Sequence, residues 1–180
     1  MNKICSQGWY STLISLSYHQ RNWLQDRGSL TRRIQSRCSN FYVKPVVQSL
    51  QRIYGDELNV MGLRSNELAM VREVYLYCNS VPVIFAHSVI ARKDLCGSWR
   101  GLSKLGNKSL GTVLFSNPRI TRTPLEYKRI KPSHLLYGRA CAKLPQKPAY
   151  LWARRSLFNL HGQSILVTEV FLPTLLDLPL

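Results

Sequence analysis

Three polar residues stand where strand alternation predicts apolar neighbours, and they define the chemistry open to this chain. In "LAMVREVYLYC" a strand places Arg72 on one face with Met70, Val74, Leu76 and Cys78, and Glu73 on the other with Val71, Tyr75 and Tyr77. In "VPVIFAHSVIA" His87 shares a face with Val83, Phe85, Val89 and Ala91, and in "QSILVTEVFLP" Glu169 shares one with Ile165, Val167 and Phe171. An arginine in such company either snorkels to a rim or is buried for a purpose. A lone histidine there is more often a hydrogen-bonded core residue than a catalyst. Glu169 is the least expected of the three, because a carboxylate on an apolar face needs a partner and the chain carries only 9 acidic residues. An arginine that grips a carboxylate through two N–H groups, with one acid inside an apolar cavity, suits recognition of a small anionic ring. No Ser-His-Asp set, nucleophile elbow or carboxylate pair stands out, which argues against hydrolysis through a covalent intermediate.

A second stretch, "GLSKLGNKSLG" from Gly101 to Gly111, sits one residue away from a nucleotide-binding loop. Such a loop needs its lysine directly after the second glycine to reach the phosphates, and here Asn107 intervenes. The segment before it, "RKDLCGSWR", is charged and broken by Gly97 rather than a buried strand, and "VFLPTLLD" carries Pro173 where a magnesium-holding strand would run. A phosphate loop is not expected.

These residues need a frame. The length of 180 residues accommodates one domain, read as 1–180, with a core of its own, and the 45% hydrophobic and 19% charged content is ordinary for a folded protein and argues against disorder. The 25 Lys and Arg against 9 Asp and Glu give a net charge of +16, a field that attracts nucleic acid, membrane surfaces or small acidic substrates alike. Cys5, Cys38, Cys78, Cys96 and Cys141 are odd in number and widely spaced, which predicts reduced thiols in a cytoplasmic protein and no zinc knuckle. The four histidines show no metal-ligand spacing. "STLISLSY" lacks the continuous apolar region of a signal peptide, and no run is long enough for a membrane helix.

Apolar positions Leu13, Leu16, Trp23, Leu24, Leu30 and Ile34 recur at helical spacing, predicting one or two short amphipathic helices broken at Gly28, the second capped by Ser29. "RNWLQDRGSLTRRIQSR" is arginine-rich with an aromatic inside it, read as a solvated basic face rather than a nucleic-acid patch. After Asn66 the texture turns to strands. Asn79-Ser80 joins the first two in a hairpin and His161-Gly162 joins "YLWARRSLFNL" to the last, while a segment containing five prolines, from Pro118 to Pro148, carries the connections. Helices first, then hairpins, predict α+β with an antiparallel sheet.

In order and spacing, "VREVYLYC", "KLGNKSLGTVLF", "LWARRSLF" and "GQSILVTEVFLP" resemble the chorismate lyase family of ubiquinone biosynthesis, from about Trp23 to Pro173. The resemblance implies an α+β fold, an antiparallel sheet of about six strands with helices over it and helical flaps closing an internal ligand cavity. It implies conversion of chorismate to 4-hydroxybenzoate and pyruvate without cofactor or metal, by a cytoplasmic monomer with no nucleic-acid partner and no membrane segment. By matching motifs, Arg72 with backbone groups at Leu30 and Leu110 holds the ring carboxylate, and Glu169 faces the 4-oxygen, so that Arg72 and Glu169 are the catalytic residues. "GLSKLGNKSLG" then holds a carboxylate rather than a nucleotide. His87 stands where some family members have an arginine, which implies a weaker second contact to the enolpyruvyl carboxylate; Leu30 stands where some have methionine, a change that a backbone contact survives.

Two other readings compete. Effector domains of some bacterial transcription regulators share this fold and bind small ligands without turnover; such a regulator has a DNA-binding domain in front, for which 180 residues leave no room. A nucleic-acid module driven by charge predicts salt-dependent binding to any polyanion.

Overall fold

The computed structural model describes residues 4–6, 8–13 and 16–179; Ile14 and Ser15 of "STLISLSY" lie outside them. Two short strands, β1 (Ile4–Ser6) and β2 (Trp9–Tyr10), precede helices α1 (Tyr18–Gln25) and α2 (Leu30–Gln35). Then come β3 (Phe41–Gln51), α3 (Gly55–Met61) and the hairpin β4 (Ala69–Cys78) and β5 (Val81–Ala91). Two 3-10 turns, Arg92–Cys96 and Arg100–Lys104, lead to α4 (Leu110–Ser116). The chain continues through β6 (Thr121–Arg122), β7 (Glu126–Ile130), α5 (Leu135–Ala140), β8 (Leu151–Leu160) and β9 (Gln163–Phe171).

The two helices expected on either side of Gly28 form as the sequence dictates. Ser17 and Gln20 make a reciprocal capping box at the start of α1, and the Ser29 side chain accepts from the Arg32 N–H at the start of α2. Their inward residues Trp23 and Ile34 are fully buried, and burial of side chains this size contributes about 1.5–3 kcal/mol each.

All strands join one open antiparallel sheet in the order β1-β2-β7-β8-β9-β5-β4-β3, with β6 paired to β8 off this path. The mixed class and antiparallel sheet agree with expectation; the count does not. Eight strands lie on the path rather than six, because β1 and β2, of 3 and 2 residues, extend the sheet beyond β7. Strands also begin before Asn66. The alternation of β3 is masked because it is an edge strand with most side chains in solvent, and Pro45 sits at a register shift in it, where an edge tolerates a missing N–H. Both predicted hairpins close through two residues with positive φ, Asn79 (49°) and Ser80 (70°), and His161 (48°) and Gly162 (77°). This twist matches that of the flanking strands.

Helices cover both faces. Residues of α1 and α2 pack on Val74, Leu76 and Phe171, and residues of α4 on Ile90, Phe158 and Ile165. On the reverse face α5 packs on Tyr75 and Phe85, and α3 on Val71 and Val89. The expectation of reduced thiols is corrected: Cys38 and Cys78 form a disulfide. Forty residues separate them in sequence, but the register that sets Phe41 opposite Cys78 brings Cys38 alongside, and spacing alone does not reveal this. Cys96 and Cys141 are free.

Candidate active site

Strand register places the residues in rows. Arg72 stands opposite Ser88, Ser88 opposite Val167, and Val167 opposite Ser156. In the neighbouring row Val74, Ala86, Glu169 and Arg154 face one another. Arg72 on β4 and Glu169 on β9 are thus two strand spacings apart, roughly 10 Å across the sheet. Both line one cavity between this face of the sheet and the starts of α2 and α4, together with Leu30, Ser88, Leu110 and Phe158.

Arg72 is 6% exposed, so it is buried rather than snorkelling. Its Nη2 donates to the carbonyls of Gly106 and Lys108, each at 3.0 Å. Gly106 reaches that position with φ of 52°, a left-handed conformation that suits glycine. The Arg72 Nε is buried without a hydrogen bond, and among the described residues no carboxylate pairs with this guanidinium. Burial lowers its pKa from the ordinary arginine value, the direction expected when a cation loses water.

Leu30 and Leu110 are the first residues of α2 and α4, where N–H groups have no intrahelical acceptor. The Ser109 side chain does not cap α4; it hydrogen-bonds Thr31 of α2 at 2.7 Å. The helix starts approach so closely that a Cβ on Gly111 would stand 3.0 Å from the Thr31 hydroxyl. The cavity beneath that clasp has a volume of about 40 Å³, room for a few waters.

Glu169 has a partner that the sequence did not reveal. The Nε of Arg154 donates to its carboxylate at 2.6 Å, and Nη1 of the same guanidinium donates to the carbonyls of Trp23 and Leu24 at the end of α1. One buried arginine thus contacts Glu169 and the end of α1 together. The two arginines of "LWARRSLF" point to opposite faces, Arg154 to Glu169 and Arg155 to Glu126 at 2.7 Å. A second residue absent from the sequence expectations is Arg122, which lines the cavity beside Glu169. It comes from the proline-flanked "ITRTP", where no periodicity marks a face.

His87 does not join this site, and its expected contact to substrate is corrected. It faces Glu73 across β4 and β5, on the reverse side of the sheet from Arg72. Nδ1 lies 3.0 Å from Glu73 Oε1, and Nε2 lies 3.0 Å from Glu57 in ion-pair contact without hydrogen-bond geometry. Arg139 donates to the other Glu73 oxygen at 2.6 Å, and Tyr54 stacks on the imidazole at 5.2 Å. Burial alone pulls the His87 pKa down, but the two carboxylates outweigh it and raise it to about 9. Among the described residues no group of three or more His, Cys, Asp and Glu is arranged to hold a metal.

The sequence profile of the chorismate lyase family matches residues 8–178. The chain belongs to the chorismate lyase family. Its relatives include a probable chorismate pyruvate-lyase of Nitrosospira multiformis, 62% identical over 99% of each chain. Another, from Nitrosomonas europaea, is 56% identical over 93% of this chain and 94% of that one. Membership makes the protein a lyase. Solved structures of low identity share the fold alone. The effector domain of PhnF from Mycobacterium smegmatis superposes with a TM-score of 0.58 at 14% identity, covering 82% of this chain and 90% of that one. A GntR-family regulator from Bacillus cereus does so with 0.55 at 12%, covering 76% and 94%.

Proposed function

We propose that the protein is a chorismate pyruvate-lyase that eliminates pyruvate from chorismate, leaving 4-hydroxybenzoate for ubiquinone synthesis. It acts as a single domain over residues 1–180, a cytoplasmic monomer using neither metal nor cofactor. The observation that carries this reading is Arg72: a buried guanidinium with a free Nε and no carboxylate partner among the described residues is costly, and the ring carboxylate of the substrate offsets that cost through a charge-assisted contact. Backbone N–H groups at Leu30 and Leu110 complete the carboxylate end. The net charge of +16 draws a dianion toward the cavity.

The reaction breaks the ether bond between the ring and the enolpyruvyl oxygen, whose electron pair leaves with that oxygen. The neighbouring ring carbon, which carries the hydroxyl, gives up its proton. The C–H pair becomes the third ring double bond, and a proton on the enolpyruvyl methylene completes pyruvate. Aromatisation drives the step, so the protein's work is to fix a reactive conformer and exclude water. Glu169, held by Arg154, accepts a hydrogen bond from the ring hydroxyl and assists proton movement beside the breaking bond.

The likeness to regulator effector domains favours one competing reading, a domain that binds a small aromatic acid without turnover. Purified protein mixed with chorismate distinguishes them. Equal amounts of 4-hydroxybenzoate and pyruvate, formed in proportion to enzyme, support the lyase; chorismate that binds and persists supports the binding domain.

A further inference from the structure

We infer that Arg122 is the residue that receives the second carboxylate of chorismate, the one on the enolpyruvyl group, and so separates substrate from product. This rests on the lyase reading and extends the same cavity. Two guanidinium groups line that cavity without a carboxylate partner among the described residues, Arg72 and Arg122. The Glu169 carboxylate is paired with Arg154. Arg122 is half-buried; its Nε donates to Ser156 at 2.8 Å and its Nη1 to the Arg27 carbonyl at 3.0 Å. Among the described residues its Nη2 has no hydrogen-bond acceptor. The guanidinium lies near two aromatic rings, 5.0 Å from the Phe158 centroid and 5.6 Å from that of Phe115, and both rings also line the cavity. Desolvation lowers its pKa while the Glu169 charge opposes the shift, which sets the two groups within electrostatic reach.

Position assigns the two cations different tasks. Ser156, which anchors Arg122, stands in the row of Arg72 but three strand spacings away, roughly 14 Å across the sheet. Glu169 lies on the strand between, next to the strand of Ser156. The enolpyruvyl ether is attached to the ring carbon beside the one bearing the hydroxyl, so with the ring carboxylate on Arg72 the side chain of the substrate falls at the Glu169 end. There Arg122 offers its remaining N–H groups. A leaving enolpyruvate held by this cation keeps its developing negative charge within reach of a positive group. 4-Hydroxybenzoate has no second carboxylate and leaves Arg122 without a partner.

The test compares Arg122→Gln and Arg122→Lys with the parent, measuring KM for chorismate by product formation and Kd for 4-hydroxybenzoate by calorimetry. The expected result for Arg122→Gln is a rise in KM of about 10- to 100-fold, the loss of a hydrogen bond to a charged group. The 4-hydroxybenzoate Kd should stay within about twofold, and Arg122→Lys should recover part of the KM. An unchanged KM in Arg122→Gln, or equal losses for substrate and product, overturns the inference. A parent protein that binds 4-hydroxybenzoate yet leaves chorismate intact removes the lyase reading and this inference with it.

Discussion

The two faces of the sheet bury similar side chains to different ends. On the reverse face Glu73, His87, Glu57 and Arg139 form a set in which each charge has an opposite neighbour. On the cavity face, among the described residues, Arg72 donates to two carbonyls and Arg122 to a hydroxyl and a carbonyl. The first set satisfies its own charges within the protein; the second, under the proposed function, leaves cations for a ligand's carboxylates to meet. Adjacent residues of one strand, Arg72 and Glu73, separate the two uses.

The largest way to break this comparison is at Glu169. Glu169→Gln keeps shape and still accepts from Arg154, but loses the charge, so chorismate turnover should fall roughly 10²- to 10⁴-fold with far less change in 4-hydroxybenzoate affinity. Parent-level turnover in the folded variant would remove Glu169 from the chemistry and leave positioning and desolvation as the whole of catalysis.

On the reverse face the loss should appear in stability instead. Glu73→Gln leaves His87 and Arg139 facing a neutral amide, and breaking a buried charge set of this kind costs about 3–5 kcal/mol. Denaturant unfolding reads that loss, while KM for chorismate in the folded protein should hold. A Glu73→Gln protein as stable as the parent but with raised KM would mean that the network serves the ligand.

The same network predicts a pH dependence. The His87 pKa is raised from 6.5 to about 9 by Glu57 and Glu73 against the opposing effect of burial, with Tyr54 stacked on the ring and Arg139 on the far side of Glu73. The protonated imidazole therefore contributes fully below about pH 6.5 and its contribution is lost as pH rises through about 9. At about 1.4 kcal/mol per pKa unit the upper bound is about 3.5 kcal/mol. Thermal unfolding followed across that window should show Tm falling, and His87→Gln should flatten the slope. A Tm that rises with pH there contradicts the assignment.

What the sequence made legible follows from periodicity. Alternation put Arg72 and Glu169 on apolar faces, and turn residues marked both hairpins. It did not show β3, whose edge position removes the apolar alternation, or the Cys38–Cys78 pair, which depends on register. Arg154 and Arg122 were invisible for a related reason: their roles come from which strand lies beside which, information that single-strand patterns lack. At His87 two lines of reasoning diverged. The resemblance to relatives implied a ligand contact, whereas the residue-level reading of a lone histidine among apolar neighbours implied a hydrogen-bonded core residue. The structure sides with the latter, because Glu73 directly opposite consumes the imidazole.

The central claim is that Arg72, a cavity-face cation with no carboxylate partner among the described residues, exists for a ligand carboxylate. Calorimetric titration of 4-hydroxybenzoate into the parent, Arg72→Ala and Arg72→Lys tests it most directly. Arg72→Ala should bind roughly 10- to 100-fold more weakly, with Arg72→Lys between, since an ammonium keeps the charge but not the planar two-pronged grip. Equal affinity in Arg72→Ala and the parent would show that the guanidinium only braces the Gly106–Lys108 turn, and the distinction between the two faces would fall.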